Sequence, residues 1–257
     1  MKGDASEIVT AGILVIGDEI LSGRTKDRNI GYIAEYLTNI GIDLREVRVV
    51  ADDEAAIVEA LNALRARYTY VFTTGGIGPT HDDITADSVA KAFGVAIDYH
   101  PQAVALMKAR FTAMGTEMNE ARMRMARVPA GAELVPNRIS AAPGFWIDNV
   151  IVLAGVPTIM QAMLDAVAPQ LKTGTKIVSD SVRADCREGD NGTELRNIAN
   201  AYPDVMIGSY PFVDEATGAP NTNLVVRGRD PAQVAAAMAA VKTMLGEVRA
   251  RLLAQRS

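Results

Sequence analysis

Three times in this chain an apolar run ends at a glycine and gives way to a helical period, and that repetition restricts the fold more than any other feature. Residues 7–16, 70–74 and 146–153 are apolar and rich in β-branched side chains, as buried strands are. Glycine follows each run, in Gly17-Asp18-Glu19-Ile20-Leu21-Ser22-Gly23, in Gly75-Gly76-Ile77-Gly78-Pro79-Thr80-His81-Asp82-Asp83-Ile84-Thr85, and in Gly155-Val156-Pro157. Amphipathic helices are expected at 27–39, 85–93 and 158–167. A further strand is expected at 42–50, followed by a helix at 52–67 capped by Asp52 or Asp53. Repeated βαβ units predict a mostly parallel sheet with helices on both faces. Ligands bind such sheets beyond the carboxyl ends of the strands, so the three glycine loops belong on one edge.

The central loop carries the most chemistry. Gly75, Gly76 and Gly78 are expected to allow positive φ and close backbone approach, so that successive N–H groups converge on an anion. Asp82 and Asp83 stand beside that cradle, where they would repel a phosphate unless a cation such as Mg²⁺ lay between. The stretch therefore points to a metal-bridged phosphate or diphosphate. Either aspartate also suits the cap of the helix that opens at Thr85. His81 fits a solvated loop residue as well as a ligand, and Pro157 suits a first helical turn.

Elsewhere, helices are expected at 101–114 and 119–126, and an extended loop at 129–144. The polar stretch 171–175 marks a boundary, giving one domain over 1–172 and a smaller one over 173–257. In the latter, strands are expected at 177–186, 204–209 and 223–227. Asn191-Gly192-Thr193-Glu194 reads as a capping box opening a helix that runs to residue 201. The terminal helix, 231–253, carries one apolar stripe of Val234, Met238, Val241, Leu245, Val248 and Leu252, suited to the small sheet or to a subunit seam.

The net charge of −5, with basic residues scattered along the chain, disfavours nucleic acid and anionic membrane surfaces as partners. Cys186 is the single cysteine and there are two histidines, which excludes a disulfide framework and cysteine-based metal centres but leaves a hard cation held by oxygens. With no signal-peptide core and no bilayer-length apolar run, a cytoplasmic protein is expected.

Taken in order, these motifs resemble the MoaB/Mog-type molybdopterin-binding domain, and most closely the N-terminal part of the CinA family of competence/damage-inducible proteins. The likeness rests on the Gly17–Gly23 loop with Asn29, on the stretch 74–85, on Asn119 and Pro129, on Asn137 with Ala142-Pro143-Gly144-Phe145, and on Gly155-Val156-Pro157. The tail, with Ile207-Gly208-Ser209-Tyr210-Pro211 and Arg227-Gly228-Arg229-Asp230-Pro231, is similar to the small α+β domain that follows in that family. The resemblance implies a three-layer αβα domain, a homo-oligomer (commonly a dimer), and a phosphate-containing ligand, nucleotide or molybdopterin. One implied activity is metal-dependent hydrolysis of a nucleotide diphosphate such as ADP-ribose or FAD; the other is molybdopterin binding or adenylylation. A non-catalytic nucleotide sensor is a third reading.

For hydrolysis, Asp82 and Asp83 would hold the cation. Gly75, Gly76 and Gly78 with Thr74 and Thr80 would cradle phosphate oxygens, and Asp18 or Glu19 would complete the metal shell or orient water. Gly17, Asn29, Pro79, Thr85, Gly155 and Pro157 join the expected ligand-binding set, and Arg24 or Lys26 could neutralise charge. Two departures bear on this. The 257 residues do not include the deamidase-like domain that continues full-length members of the family, so that activity is not transferred; and Ala154 stands where a proline usually precedes the third loop's glycine.

Overall fold

The computed structural model describes residues 8–140 and 142–254, in two compact units divided between Gly174 and Thr175. The first unit runs β1 (Val9–Ile16), α1 (Asp18–Leu21), α2 (Asn29–Asn39), β2 (Ile42–Val50), α3 (Glu54–Arg65), β3 (Tyr70–Thr74), α4 (Thr85–Phe93) and β4 (Ile97–Tyr99). It continues with α5 (Pro101–Ala113), α6 (Glu120–Arg124), β5 (Arg127–Pro129), β6 (Glu133–Val135), β7 (Gly144–Ile147), β8 (Val150–Leu153) and α7 (Pro157–Val167). Its six-stranded sheet has the order β2-β1-β3-β8-β7-β6. The first four of these strands are parallel, whereas β7 and β6 are added antiparallel.

Period-two alternation assigns each strand residue to one of two cores. From β1, Val9, Ala11, Ile13 and Val15 meet Ile33 and Leu37 of α2 and Met160, Met163, Leu164 and Val167 of α7. On the other face Leu14 and Ile16 meet Ile57, Leu61 and Leu64 of α3 and Val89 of α4. Tyr70 and Phe72 of β3 join the first core and Val71 the second, so the sheet is covered on both sides in the expected three layers. With β1, β3 and β8 adjacent and parallel, their carboxyl ends fall side by side.

Several expectations need correction. The segment read as one strand over 146–153 belongs to a hairpin, because Asp148 adopts a left-handed conformation (φ 51°) and reverses the chain between β7 and β8. The loop expected over 129–144 contains β6, which pairs with β7. The first glycine loop contains the short helix α1, and α2 begins at Asn29, two residues later than expected, because the Asp27 carboxylate caps it by accepting the N–H groups of Asn29 and Ile30. Asp53, not Asp52, caps α3, accepting from the Ala56 amide at 2.9 Å.

The second unit is a three-stranded antiparallel sheet, order β10-β11-β9, formed by β9 (Val178–Arg183), β10 (Met206–Val213) and β11 (Pro220–Gly228), with helices α8 (Gly192–Ala201) and α9 (Pro231–Ala254). The α9 stripe packs with Leu224 and Val226 of β11 in one apolar cluster. No capping box forms at α8: the Asn191 side chain instead donates to Cys186 Sγ at 3.3 Å. Among the described residues no helix is long and apolar enough to cross a membrane.

Candidate functional site

The three glycine loops meet through their backbones. Gly75 has φ +100°, and a Cβ there would lie 2.1 Å from the carbonyl oxygen that ends β1 at Ile16. A Cβ on Gly76 (φ +64°) would lie 2.2 Å from Thr85 Oγ1, which donates to the Gly75 carbonyl at 3.0 Å. Thr85 is thus buried and fixes the turn from below. Gly155 presses on Gly75, since a Cβ on it would be 3.2 Å from the Gly75 Cα. Asn29, at the start of α2, donates its side-chain N–H to the Gly155 carbonyl at 2.8 Å, tying in the chain that leaves the first loop.

A cavity of about 450 Å³ lies at this junction. Thr74, Gly75, Gly155 and Pro157 line it, as do Glu19, Arg24, Lys26, Arg28 and Asn29. Thr74 Oγ1 and Asn29 Oδ1 are buried without a hydrogen-bond partner, a costly state in an apolar surrounding. Arg24, Lys26 and Arg28 are exposed and form no ion pair among the described residues. Elsewhere in the unit Arg45 pairs with Asp43, Arg48 and Arg67 with Glu46, Lys91 with Glu54, and Arg127 with Asp87. Three basic residues from one short stretch, 24–28, therefore line one cavity unpaired.

The far end of the glycine turn has a different setting. Gly76, Gly78 and Asp83 line a separate, narrow cleft with Asp87, Arg124 and Arg127. Asp83 does not cap α4, and neither does Asp82: the helix starts after Ile84 without a side-chain cap. Asp83 Oδ2 instead accepts from the Thr80 amide (2.8 Å) and hydroxyl (2.5 Å). Contrary to expectation, Gly78 is outside the left-handed region; its lack of a side chain makes room for Asp83, whose Oδ2 would lie 2.6 Å from a Cβ. His81 is 98% exposed and 3.9 Å from an Asp82 carboxylate oxygen, so it is a solvated residue in this structure. Pro79 lines neither space.

Acidic groups border the first loop. Asp52 Oδ2 accepts the Asp18 amide at 2.9 Å. Burial raises the Asp52 pKa, and the Asp18, Glu19 and Asp82 charges raise it further, so carboxylates of the first two loops share one field. Among the described residues no group of three or more His, Cys, Asp or Glu side chains gathers to hold a metal. Asp18 lies outside the main cavity, beside Glu19, Leu21, Ser22 and Arg24.

Other motif residues build the scaffold. Asn119 caps α6 and Pro129 closes β5, while Asn137 accepts the Ile139 and Ser140 amides and donates to Ser140 Oγ and the Ala142 carbonyl. Sequence reasoning missed Arg28, the Asp27 cap and Asp52. The alternation Arg24-Thr25-Lys26-Asp27-Arg28 beside a glycine loop was the available signal.

Residues 12–173 match the family model described as a probable molybdopterin binding domain, and residues 176–251 match the FAD synthase middle domain. A protein from Pyrobaculum calidifontis is 34% identical over 211 residues, covering 79% of this chain and 80% of that one. A probable FAD synthase from Caenorhabditis elegans is 32% identical over 226 residues, covering 79% of this chain but only 44% of that protein. The solved structure of the protein CinA from Thermoplasma acidophilum superposes with a TM-score of 0.59 and 32% identity, covering 63% of this chain and 98% of that one. The match over 12–173 spans more than half of the sequence, and the chain belongs to the molybdopterin-binding-domain family, with CinA-type proteins among its relatives.

Proposed function

We propose that the loops at the carboxyl edge of the sheet bind a nucleotide diphosphate of the ADP-ribose or FAD kind and hydrolyse its phosphoanhydride with a divalent cation. One observation carries this reading: three unpaired basic side chains share a cavity with the backbone of the glycine turn. Arg24, Lys26 and Arg28 are suited to hold phosphate oxygens, and the Thr74 hydroxyl to donate to one of them. Glu19 lines the same cavity and is the group suited to orient or deprotonate an attacking water.

Asp82 and Asp83 fit a hard cation by donor type, and among the described residues no third His, Cys, Asp or Glu side chain gathers with them. That suits Mg²⁺ or a similar ion shared with the ligand's own phosphates. Such a cation supplies charge neutralisation at the anhydride. The assay is ³¹P NMR of ADP-ribose, FAD and NAD with Mg²⁺, Mn²⁺ or Co²⁺. AMP and the complementary monophosphate are expected from at least one substrate; no cleavage with any metal overturns hydrolysis. Asp83→Asn should abolish most turnover, whereas a nucleotide sensor would bind without any turnover to lose.

A second reading, molybdopterin binding or adenylylation, is supported by the family match over 12–173. Calorimetry separates the two: binding of molybdopterin but not of ADP-ribose would favour the second. The same family likeness underlies an expected homodimer, which sedimentation would read directly.

A further inference from the structure

The glycine turn has two settings, and they differ in charge. Gly75 lines the cavity that holds Arg24, Lys26 and Arg28, whereas Gly76, Gly78 and Asp83 line the separate cleft. We propose that anchoring and chemistry are separable here: Arg24, Lys26 and Arg28 bind the diphosphate without any divalent cation, and in the absence of a cation Asp83 contributes nothing to its affinity. This rests on the phosphate-ligand reading above and specifies which half of that site provides the binding energy.

The charge inventory supports it. Five charged side chains line the cavity, namely Arg24, Lys26 and Arg28 against Glu19 and Asp27. Asp27 is already engaged, accepting the Asn29 and Ile30 amides at 3.1 and 2.8 Å. Helix α7 opens beside this cavity, but Pro157 has no N–H and the Ile159 and Met160 amides bond to the Val156 carbonyl, so the cavity offers an incoming anion its unpaired cations and not a helix start. Buried Thr74 Oγ1, without a partner, adds a neutral donor on the same wall. Three cations against two carboxylates leave the lining an excess of one positive charge, so its guanidinium and ammonium donors can hold phosphate oxygens before any metal arrives.

Calorimetry of the full chain with inorganic pyrophosphate, in excess EDTA, tests this. Binding should persist in EDTA and weaken as salt approaches about 1 M, where screening shortens the range of charge to about 3 Å. Lys26→Gln and Arg28→Gln should each weaken it about tenfold, the worth of one charge-assisted hydrogen bond. Both side chains are exposed, so thermal midpoints should stay at the wild-type value. Asp83→Asn should change affinity less than about twofold. The proposal is overturned if pyrophosphate binds only with Mg²⁺, if Asp83→Asn weakens it as much as Lys26→Gln does, or if salt has no effect. Should neither pyrophosphate nor ADP-ribose bind with or without metal, the phosphate-ligand reading itself falls.

Discussion

The arginine network of the second unit and the cavity of the first treat charged side chains in opposite ways. In the second unit, Arg183 contacts Asp185 at 2.6 Å and Asp214 at 2.7 Å, Arg249 contacts Asp185 at 2.9 Å, and Arg251 contacts Glu194 at 2.6 Å. Arg249 also donates to the carbonyls of residues 183 and 184. In the first unit Arg24, Lys26 and Arg28 are left without such partners around a cavity. Paired cations spend their donors on the fold, while unpaired ones keep them for a visitor. The same residue type is thus structural in one place and available for binding in another, and composition does not tell the two apart.

The sharpest way to break this contrast is at the backbone that shapes the cavity. Gly75→Ala would place a methyl 2.1 Å from the Ile16 carbonyl oxygen at φ +100°, so it should cost about 3 kcal/mol or more. Chemical denaturation should show the loss in the first unit's transition with the second unit's transition unmoved; an unperturbed first transition would refute the close approach. A smaller effect, about 1 kcal/mol, is expected from Asp53→Ala, which removes the α3 cap at a residue that lines neither the cavity nor the cleft. That variant should leave pyrophosphate affinity unchanged.

Acid unfolding probes the paired side. Bonds from the Thr217 hydroxyl and amide, then from Arg183, lower the Asp214 pKa from 3.8 to about 2. A depressed carboxyl pKa stabilises the fold above its ordinary value and loses that contribution as pH falls through the folded value. The second unit should therefore weaken between pH 3.8 and about 2, and Asp214→Asn should flatten that limb in a circular-dichroism titration. The smallest effect belongs to the exposed Lys91 and Glu54 pair, where Lys91→Ala should cost less than about 0.5 kcal/mol in urea denaturation. A larger loss would show that exposed pairs in the first unit also carry its stability.

Much of the architecture is legible in the sequence because it rests on periodicity and punctuation. Residues 42–50, 70–74 and 85–93 have the expected elements at the expected bounds, since glycine or an acidic cap flanks clear apolar patterns. The β7–β8 hairpin is not, because Asp148 and Asn149 interrupt an apolar run too briefly to stand out, although Asp at φ 51° is the kind of residue that turns there. At the site, glycine marks the loops but does not say what each glycine is for: Gly75 lies against the Ile16 carbonyl, Gly76 against the Thr85 side chain, and Gly78 makes room for a carboxylate. For Arg28 the sequence offers only the alternation over 24–28, since whether a cation is paired depends on contacts that form only in three dimensions.

The contact between Gly155 and Gly75, close enough that a methyl on one would press the other's Cα at 3.2 Å, makes the second and third loops mechanically a single part. A shift at the Gly75 amide must displace Gly155, and through its carbonyl the Asn29 side chain that opens α2. Strain introduced at any one of the three positions would spread to the other two, so a tolerated change at one should demand a compensating change at its neighbours.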